Sequence, residues 1–575
     1  MTSANQLPRR RAGSAHASLL SRRKSLLCLV LALCAPAAVA QPPAGPAAPR
    51  PETLTYVLTP QFERGRLKVE LVWSTMGRTS SALSVAPRFG RIDDVSALLK
   101  NVRIDGARSV RRDGALWLVQ HGKNAELRAC YEISPGTSRF DDWESQHLPL
   151  TTRDFFHGVG SAFLLTPNSH PGTPAAFETA LRWVLPAGWK GVSSWGGITR
   201  SAGAQMSPAD LRQSVYFAGK LETRTVKEDG LVVSVAMAPG FDFSIDEFAD
   251  FTTKIIKAET NFVREPAFPP FVVTAMPAGP PIRDGESRVA GSGLYNSFAL
   301  YMAPKSTLTD GVQKLFAHEL FHQWNGRLLP GAEPERLVYW FTEGFTEYYA
   351  LRILFESGVW DATTYAKWIN RHLREYAANP AINATNGEID ARYWSDRDTV
   401  GEVAYQRGVL LGLRWHALAK KQGQRAGVDA WFFGLLEAAR RGAVALTNDK
   451  LRQTGVVTFG DWFGAEFDRY VRNAQTIDLP PDVLAPALKG RIEKVTAFDL
   501  GLDRGRSLAE KRVSGLRKGS AAAAAGLREG DELVAWTITG DPETPTRVEV
   551  RRDGRTVKIE FFARGPTREI IQFAP

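Results

Sequence analysis

Two histidines four residues apart constrain this chain more than any other feature. His318 and His322 flank Glu319 in the segment 317–322. Residues four apart on a helix share one face, so both imidazoles can reach one metal ion while Glu319 lies beside them. Their apolar neighbours are Leu315, Phe316, Leu320, Phe321 and Trp324. The pattern therefore predicts a buried helix that ends near Asn325-Gly326 and carries part of a metal site.

A carboxylate in the following apolar segment offers a third ligand. The sequence predicts a second helix from about Pro334 to Gly358, with apolar or aromatic residues on nearly all sides. Glu343 lies inside it, where burial of a carboxylate is costly without a counter-charge. Two imidazoles and one carboxylate suit Zn²⁺ and leave its fourth position open for water. We therefore predict one zinc ion per chain, held by His318, His322 and Glu343.

The position of Glu319 beside the predicted ligands indicates a role in catalysis. A zinc ion held in this way lowers the pKa of its water to about 7 and polarises a carbonyl group. Glu319 could then act as general base toward that water. In the alternative interpretation, the histidines are core residues, and Glu343 and Glu347 form a partly solvated stripe. That alternative leaves titratable groups in apolar helices without a reason.

Three motifs together resemble those of a known family. They are His318-Glu319-x-x-His322-x-Trp324-Asn325, Trp340-x-x-Glu343-Gly344-Phe345-Thr346-x-Tyr348-Tyr349 and Tyr405-Gln406-Arg407-Gly408. The chain resembles the glycyl-aminopeptidase family of zinc peptidases, which carry a PDZ domain and are relatives of the larger gluzincin aminopeptidases. The resemblance implies zinc ligands at His318, His322 and Glu343, a general base at Glu319 and a transition-state tyrosine at Tyr405. A phenol hydroxyl can donate to the oxyanion that forms on the attacked carbonyl.

The chain departs from the family in its glycine-rich strand. The family usually has a glutamate there that binds the free amino group of the substrate, whereas Gly293 or Tyr295 holds that position here. A neutral group cannot pair with an ammonium ion. The backbone of the strand could still bind an extended peptide, so Gly291, Gly293, Tyr295 and Asn296 are predicted to bind substrate.

Two interpretations of this departure stay open. Another acid, such as Asp284, Glu286 or Glu347, could replace the missing glutamate, and the chain would then be an aminopeptidase. Without such an acid, the enzyme would be a zinc endopeptidase that does not recognise the N-terminus. A third alternative is a non-catalytic peptide-binding PDZ scaffold built on a peptidase fold.

The first forty residues resemble a bacterial export signal. A basic segment precedes the apolar run Leu26–Leu33, and Ala38-Val39-Ala40 resembles a cleavage site. The apolar run is too short to span a bilayer. These features predict a periplasmic or secreted protein. Leu33 before Cys34 argues against lipoprotein anchoring, because a small residue is expected there.

Composition excludes several other classes of protein. The formal net charge is +11, and residues 1–40 contain six Lys or Arg and no acidic residue, so the remaining chain carries only +5. This modest charge does not favour nucleic-acid binding. No later segment approaches eighteen uninterrupted apolar residues, so we expect no transmembrane segment in the mature chain. Cleavage would leave Cys130 alone, which excludes an internal disulfide.

The patterns along the chain predict a multidomain α+β protein. A flexible leader at 41–52 precedes an antiparallel β domain at 53–243, where short apolar runs alternate with turns. The catalytic domain is expected at 244–478, with Ser244 as the cap of its first helix. The resemblance implies that this domain is thermolysin-like and mostly helical.

The last hundred residues have the pattern of a PDZ domain, expected at 488–572. Asp499-Leu500-Gly501-Leu502 resembles the loop that receives a chain end, and Ser520 to Ala525 resembles a short helix before a strand. Such a domain would bind peptide C-termini by strand addition. The expected partners are therefore peptide substrates and peptide C-termini.

Overall fold

The computed structural model describes most of the chain beyond residue 51. The described ranges are 52–90, 92–133, 148–168, 173–199, 201–265, 267–279, 289–442, 445–538 and 540–575. The predicted export signal at 1–40, all but the last residue of the leader, and the acids Asp284 and Glu286 lie outside these ranges. None of the described helices is long and apolar enough to cross a membrane.

The N-terminal region is rich in β-strands, as predicted. Its elements are β1 Thr53–Gln61, β2 Arg66–Ser74, β3 Ser80–Ser84, β4 Leu99–Asp105, β5 Ala107–Asp113, β6 Leu116–His121, β7 Glu126–Ile133, β8 Leu150–Thr151, β9 Phe155–Val159, β10 Thr166–Pro167, β11 Phe177–Trp183, β12 Lys190–Ser193, β13 Gly197–Ile198, β14 Ser201–Met206, α1 Pro208–Arg212 and β15 Val215–Gly219.

These strands form three sheets. The strand orders are β14-β11-β1-β2-β7-β4, β10-β3-β6-β5 and β13-β12-β15-β9-β8. In β2, every second side chain is buried, namely Leu67, Val69, Leu71 and Trp73. This period of two produces a sheet with one buried face. The pairing within these sheets is antiparallel except between β1 and β11.

A fourth sheet combines strands from both sides of residue 243. It contains β16 Glu222–Glu228, β17 Leu231–Met237, β18 Phe271–Pro277, β19 Val289–Leu294 and β20 Ser297–Met302, in the order β16-β17-β18-β20-β19. Helix α2, Ile245–Val263, connects β17 to β18, so these two strands are parallel. The segment 222–237, which the sequence predicts in the N-terminal β domain, thus pairs with strands of the following region. Strand β19 lies at the edge of the sheet and pairs antiparallel with β20.

The region after this sheet is helical. The helices are α3 Asp310–Phe321, α4 Tyr339–Thr342, α5 Gly344–Glu356, α6 Ala362–Ala378, α7 Asn386–Arg392, α8 Glu402–Lys421, α9 Asp429–Arg441, α10 Asn448–Phe459 and α11 Asp461–Phe467. The predicted cap of α2 is confirmed, because the Ser244 and Glu247 side chains each bond to the other's backbone N–H. One hydrophobic core joins these helices to the fourth sheet.

The predicted second helix is interrupted where the metal ligand is expected. A 3₁₀ turn at Glu335–Val338 leads into α4, and Glu343 stands between α4 and α5 with a backbone conformation near the helical one. Helix α8 crosses α5 at very short distance. A Cβ atom at Gly408 would lie 2.3 Å from the Cα atom of Gly344, so only glycine allows this approach. The crossing brings the start of α8 next to Glu343.

The C-terminal segment adds a small α/β module. Its elements are β21 Lys489–Phe498, α12 Arg504–Glu510, α13 Ala521–Ala524, β22 Glu532–Thr537, β23 Thr546–Arg552, β24 Arg555–Phe561 and β25 Arg564–Ala574. Strands β22, β23 and β24 form one sheet, and β21 pairs with β25. The end of β25 packs against α6, where the Asn370 amide bonds to the backbone of Phe573 in both directions. Ile571 and Phe573 join the core of the helical region.

Candidate active site

Helix α3 holds both predicted histidine ligands, and its end is defined by the backbone. Thr309 caps its N-terminus, and His322 is the residue at which it ends. A π-helical turn follows, in which Asn325 and Gly326 leave helical geometry, with φ of +133° at Gly326. This is the predicted stop. His318 is buried on the core side, whereas Glu319 and His322 are partly exposed.

The structure brings the three predicted ligands together. His318 Nε2 and His322 Nε2 are 3.2 Å apart. Each lies 3.4 Å from the same carboxylate oxygen, Oε2 of Glu343. The three donor atoms therefore form a nearly equilateral triangle.

The size of this triangle fits a zinc ion. Tetrahedral ligands at the usual 2.0 to 2.1 Å from zinc lie about 3.3 to 3.4 Å from one another. The three donor atoms would therefore hold a zinc ion at its usual ligand distances. Among the described residues, the distances between donor atoms also identify a group that could hold a metal ion, namely His318, His322 and Glu343.

Hydrogen bonds behind the histidines orient both rings. His318 Nδ1 lies 2.8 Å from Oε2 of Glu347, and His322 Nδ1 lies 2.9 Å from the backbone oxygen of Asn325. A ring that donates from Nδ1 keeps its Nε2 lone pair for a metal. The Asn325 amide in turn donates to the backbone oxygen of Phe341, just before Glu343. The two ligand-bearing segments are thus fixed to one another.

The Glu347 side chain is buried, so it does not belong to a partly solvated stripe. Besides His318, its carboxylate contacts Lys314 Nζ at 2.6 Å and His372 Nε2 at 3.0 Å. Burial alone would raise the pKa of Glu347, but Lys314 and the two histidines hold it well below the usual value. Since all these contacts lie behind His318, Glu347 is engaged as a partner of that ring.

The electrostatics of the ligand cluster favour a cation. Burial alone would raise the pKa of Glu343, yet His322 and His318 keep it well below its ordinary value. Burial would lower the pKa of His318, but hydrogen bonds to Glu343 and Glu347 raise it to about 9. The cluster therefore binds positive charge, either as protons on the rings or as a metal ion that replaces them.

Strand β19 runs beside Glu319. A Cβ atom at Gly293 would lie 3.4 Å from the carboxylate oxygen Oε2 of Glu319. A Cβ atom at Gly291 would lie 2.1 Å from the ring of Phe298, so glycine is required there. The outer edge of β19 has no neighbouring strand among the described residues. Apart from the Leu294 oxygen, which accepts from the Gln323 and Arg327 side chains, this edge can offer backbone groups to an extended peptide next to Glu319.

Tyr295 and Asn296 form the turn between β19 and β20. Asn296 has a left-handed conformation, with φ of +42°. The Tyr295 N–H donates to the backbone oxygen of Gln213, and the Arg327 guanidinium lies 5.3 Å from the centre of the Tyr295 ring. The structure thus ties Tyr295 to its neighbours at the turn, while Gly293 is the residue of this strand that reaches Glu319.

Tyr405 lies on the first turn of α8. Its ring stacks against that of His318 with 5.9 Å between centroids, and its hydroxyl is 3.2 Å from that of Tyr393. Burial and the nearby Glu343 raise the pKa of Tyr405 well above its usual value. The hydroxyl therefore stays protonated and able to donate.

Several residues at the site escaped the sequence analysis. His372 and Lys314 hold Glu347, Tyr393 holds Tyr405, and Arg397 lies 5.0 Å from the Tyr405 ring centre. The spacing of four between Glu343 and Glu347 is a helical signal that could have paired Glu347 with the site. The other contacts depend on tertiary packing and leave no local pattern.

Comparisons with known proteins agree with this geometry. Residues 312–392 match the model of the family described as M61 glycyl aminopeptidase. This range includes His318, Glu319, His322 and Glu343, whereas Tyr405 lies beyond it. No curated protein is similar enough to count as a match.

One solved structure shows a similar fold over most of the chain. An aminopeptidase N family protein from Idiomarina loihiensis matches with a TM-score of 0.66 and 14% identity, over 90% of this chain and 98% of that one. An M1 zinc metallopeptidase from Deinococcus radiodurans matches with a TM-score of 0.46 and 18% identity, over 75% of this chain and 96% of that one. The family match agrees with the resemblance of the motifs, and the segment 312–392, which holds three proposed ligands and Glu319, is similar to glycyl aminopeptidases.

Proposed function

We propose that this chain is an exported zinc-dependent aminopeptidase that hydrolyses the first peptide bond of its substrates. The triangle of donor atoms from His318, His322 and Glu343 carries the proposal, because its edges match those of a tetrahedral zinc site. A bound zinc ion would supply an acidic water and a positive charge for the scissile carbonyl.

The chain's own residues would perform the remaining steps. Glu319 accepts a proton from the attacking water and returns it to the leaving amine. Tyr405 donates a hydrogen bond to the oxyanion on the attacked carbonyl, for which its raised pKa keeps it protonated. The free edge of β19 binds the substrate backbone beside Glu319, so that the peptide lies extended across the site.

The role of Glu319 gives the direct test of the reaction. We expect Glu319→Gln to lose activity by at least about 10³-fold, because no other described group is placed to take the proton. The variant should still bind zinc, since Glu319 is no part of the donor triangle. Glu356→Gln, on the far end of α5, is the matched control. Full turnover by Glu319→Gln would show that Glu319 is not the base.

An endopeptidase is the second candidate, and one observation favours it. Strand β19 carries glycine where the family has an acid, so the strand itself offers no charge to an ammonium group. Cleavage of a free-amine peptide and its N-acetylated counterpart separates the two functions. The aminopeptidase proposal expects a strong preference for the free amine, and equal rates would contradict it.

We also propose that the C-terminal module is a PDZ domain that binds peptide C-termini. A small apolar pocket of about 20 Å³ lies between the Leu500-Gly501-Leu502 segment and α12 and is lined by Leu508, Leu527 and Trp536. Asp499 fixes the turn before this pocket, since its carboxylate accepts the N–H of Gly501. Binding of peptides with free and amidated C-termini, measured by fluorescence anisotropy, tests this role, which requires tighter binding of the free carboxylate.

Export follows as a proposal from the first forty residues. Periplasmic or secreted location would be checked by fractionation of cells and by the mass of the mature N-terminus. Cleavage after Ala40 is the expected result, and an intact protein in the cytoplasm would contradict it.

A further inference from the structure

The acids around the candidate active site differ in whether they have partners. Glu343 belongs to the donor triangle, Glu347 is bound by three cationic or imidazole groups, and Glu402 pairs with Arg397 at 2.6 Å. Within the described residues, the carboxylates of Glu319, the proposed base, and of Glu335 have neither a hydrogen bond nor an ion pair.

The cationic residue next to Glu335 in the sequence is paired with another acid. Arg336, which follows Glu335, directs its guanidinium to Asp390, with 2.9 Å between Nε and Oδ1. The stem of Glu335 is held from the other side, since a Cβ atom at Gly331 would lie 2.9 Å from its Cγ atom. Among the described residues, Glu335 is thus a partly exposed carboxylate without an ion-pair partner.

Helical spacing places Glu335 on the side of the ligand cluster. Glu335, Tyr339 and Glu343 follow one another at intervals of four through the 3₁₀ turn and α4, and the Glu343 N–H bonds to the Tyr339 oxygen. The Tyr339 ring packs on that of Tyr393, which bonds to Tyr405. This row therefore leads along one wall of the site.

Electrostatic effects agree with this placement. Burial and the nearby charge of Glu343 raise the pKa of Glu335, while His322 lowers it. Burial has the largest effect in raising the pKa of Tyr339, and the nearby charge of Glu335 raises it further.

The position suits one feature of an aminopeptidase substrate. The ammonium nitrogen of an N-terminal residue is two bonds from the carbonyl carbon of the first peptide bond. An acid that recognises this nitrogen must therefore lie close to the metal ligands, and an acid that is neither a ligand nor the general base is free to do so. Glu335 meets both conditions, whereas β19 carries no acid at all between 289 and 294.

We propose that Glu335 binds the free amino group of the substrate and replaces the acid that is missing from β19. This inference rests on the proposed aminopeptidase function and gives that function its specificity. Removal of one charge-assisted hydrogen bond to an ammonium group costs about 10- to 100-fold in kcat/KM. The loss should appear mainly in KM, because the amino group takes no part in the bond cleavage.

The test compares two peptides that differ only in N-acetylation. For Glu335→Gln, we expect kcat/KM for the free-amine peptide to fall about 10- to 100-fold, while that for the acetylated peptide stays within about twofold. A purely electrostatic effect on the zinc site would alter both peptides alike, so the ratio isolates recognition of the amine. Glu333→Gln, an exposed acid two residues earlier, should leave the ratio unchanged.

Two further measurements keep the outcome unambiguous. Zinc content and thermal midpoint of Glu335→Gln should equal those of the wild type, and Glu335→Asp, which keeps the charge, should retain part of the preference. A wild type that prefers the free amine together with a Glu335→Gln variant that keeps the preference would overturn the role of Glu335 alone. A wild type that cleaves both peptides equally would overturn the aminopeptidase function, and the role of Glu335 with it.

Discussion

The two walls of the candidate site differ in how they are built. On the helical wall, both histidine ligands are held by a second group, His318 by Glu347 and His322 by the Asn325 backbone. On the wall formed by β19, the glycines have no side chains, so the strand places backbone atoms and no charged group beside Glu319. Groups that perform chemistry are thus fixed by dense side-chain networks, whereas an extended peptide needs only an open strand edge. The predictions below test this difference, from the largest effect to the smallest.

Loss of a proposed ligand should have the largest effect. We expect His318→Ala to lose zinc and to reduce kcat/KM by at least about 10³-fold, because two remaining donors cannot hold the ion in place. Atomic absorption and peptide hydrolysis measure the two losses. His416→Ala removes a histidine on α8 that contacts Arg352 of α5, and this variant should keep both zinc and activity.

Substitution of Tyr405 should have the next largest effect, since its hydroxyl would act only in the transition state. We expect Tyr405→Phe to lower kcat about 10²- to 10³-fold with little change in KM. Tyr393→Phe, which removes only the neighbouring hydroxyl, is the control and should cost a few-fold at most. A Tyr405→Phe variant with normal kcat would assign the oxyanion to another donor.

The outer network predicts a smaller loss in metal affinity. Glu347→Gln weakens the hydrogen bond that orients His318, so zinc should bind about 10- to 100-fold less tightly. Competition with a chelator measures this change, and Glu356→Gln on the same helix should show none. Unchanged affinity in Glu347→Gln would mean that the helical wall does not depend on its second layer of contacts.

The β19 wall should respond through stability more than through chemistry. Gly291→Ala forces a Cβ atom into the Phe298 ring, and we expect a loss of about 1 to 3 kcal/mol in the free energy of unfolding. Gly293→Ala makes only an ordinary contact with Glu319, so its stability should stay within about 0.5 kcal/mol of the wild type. Urea denaturation of the two variants provides the comparison, and equal losses would contradict it.

Much of the helical wall could be predicted from the sequence because its signals are local. The spacing of His318 and His322, the end of α3 at Asn325-Gly326 and the Ser244 cap each depend on residues within one or two helical turns. The break at Glu343 was missed, since its apolar surroundings favour one continuous helix. The break accompanies the close crossing of α5 and α8, which is a tertiary contact.

Other features could not be predicted because their partners are far apart in the chain. His372 reaches Glu347 from α6, and β17 pairs with β18 only after α2 has crossed over. Glu335 lacks an ion-pair partner among the described residues, and the adjacent Arg336 instead contacts Asp390, which lies fifty-four residues later in the chain. Sequence patterns indicate which residue types form a site. They do not show which distant residues will contact those side chains.

X-ray diffraction at the zinc absorption edge tests the central claim most directly. The account predicts one anomalous peak per chain, about 2.0 to 2.2 Å from His318 Nε2, His322 Nε2 and a carboxylate oxygen of Glu343. A zinc-soaked crystal without a peak among these three atoms, or with the Glu343 carboxylate turned away from both rings, would contradict it.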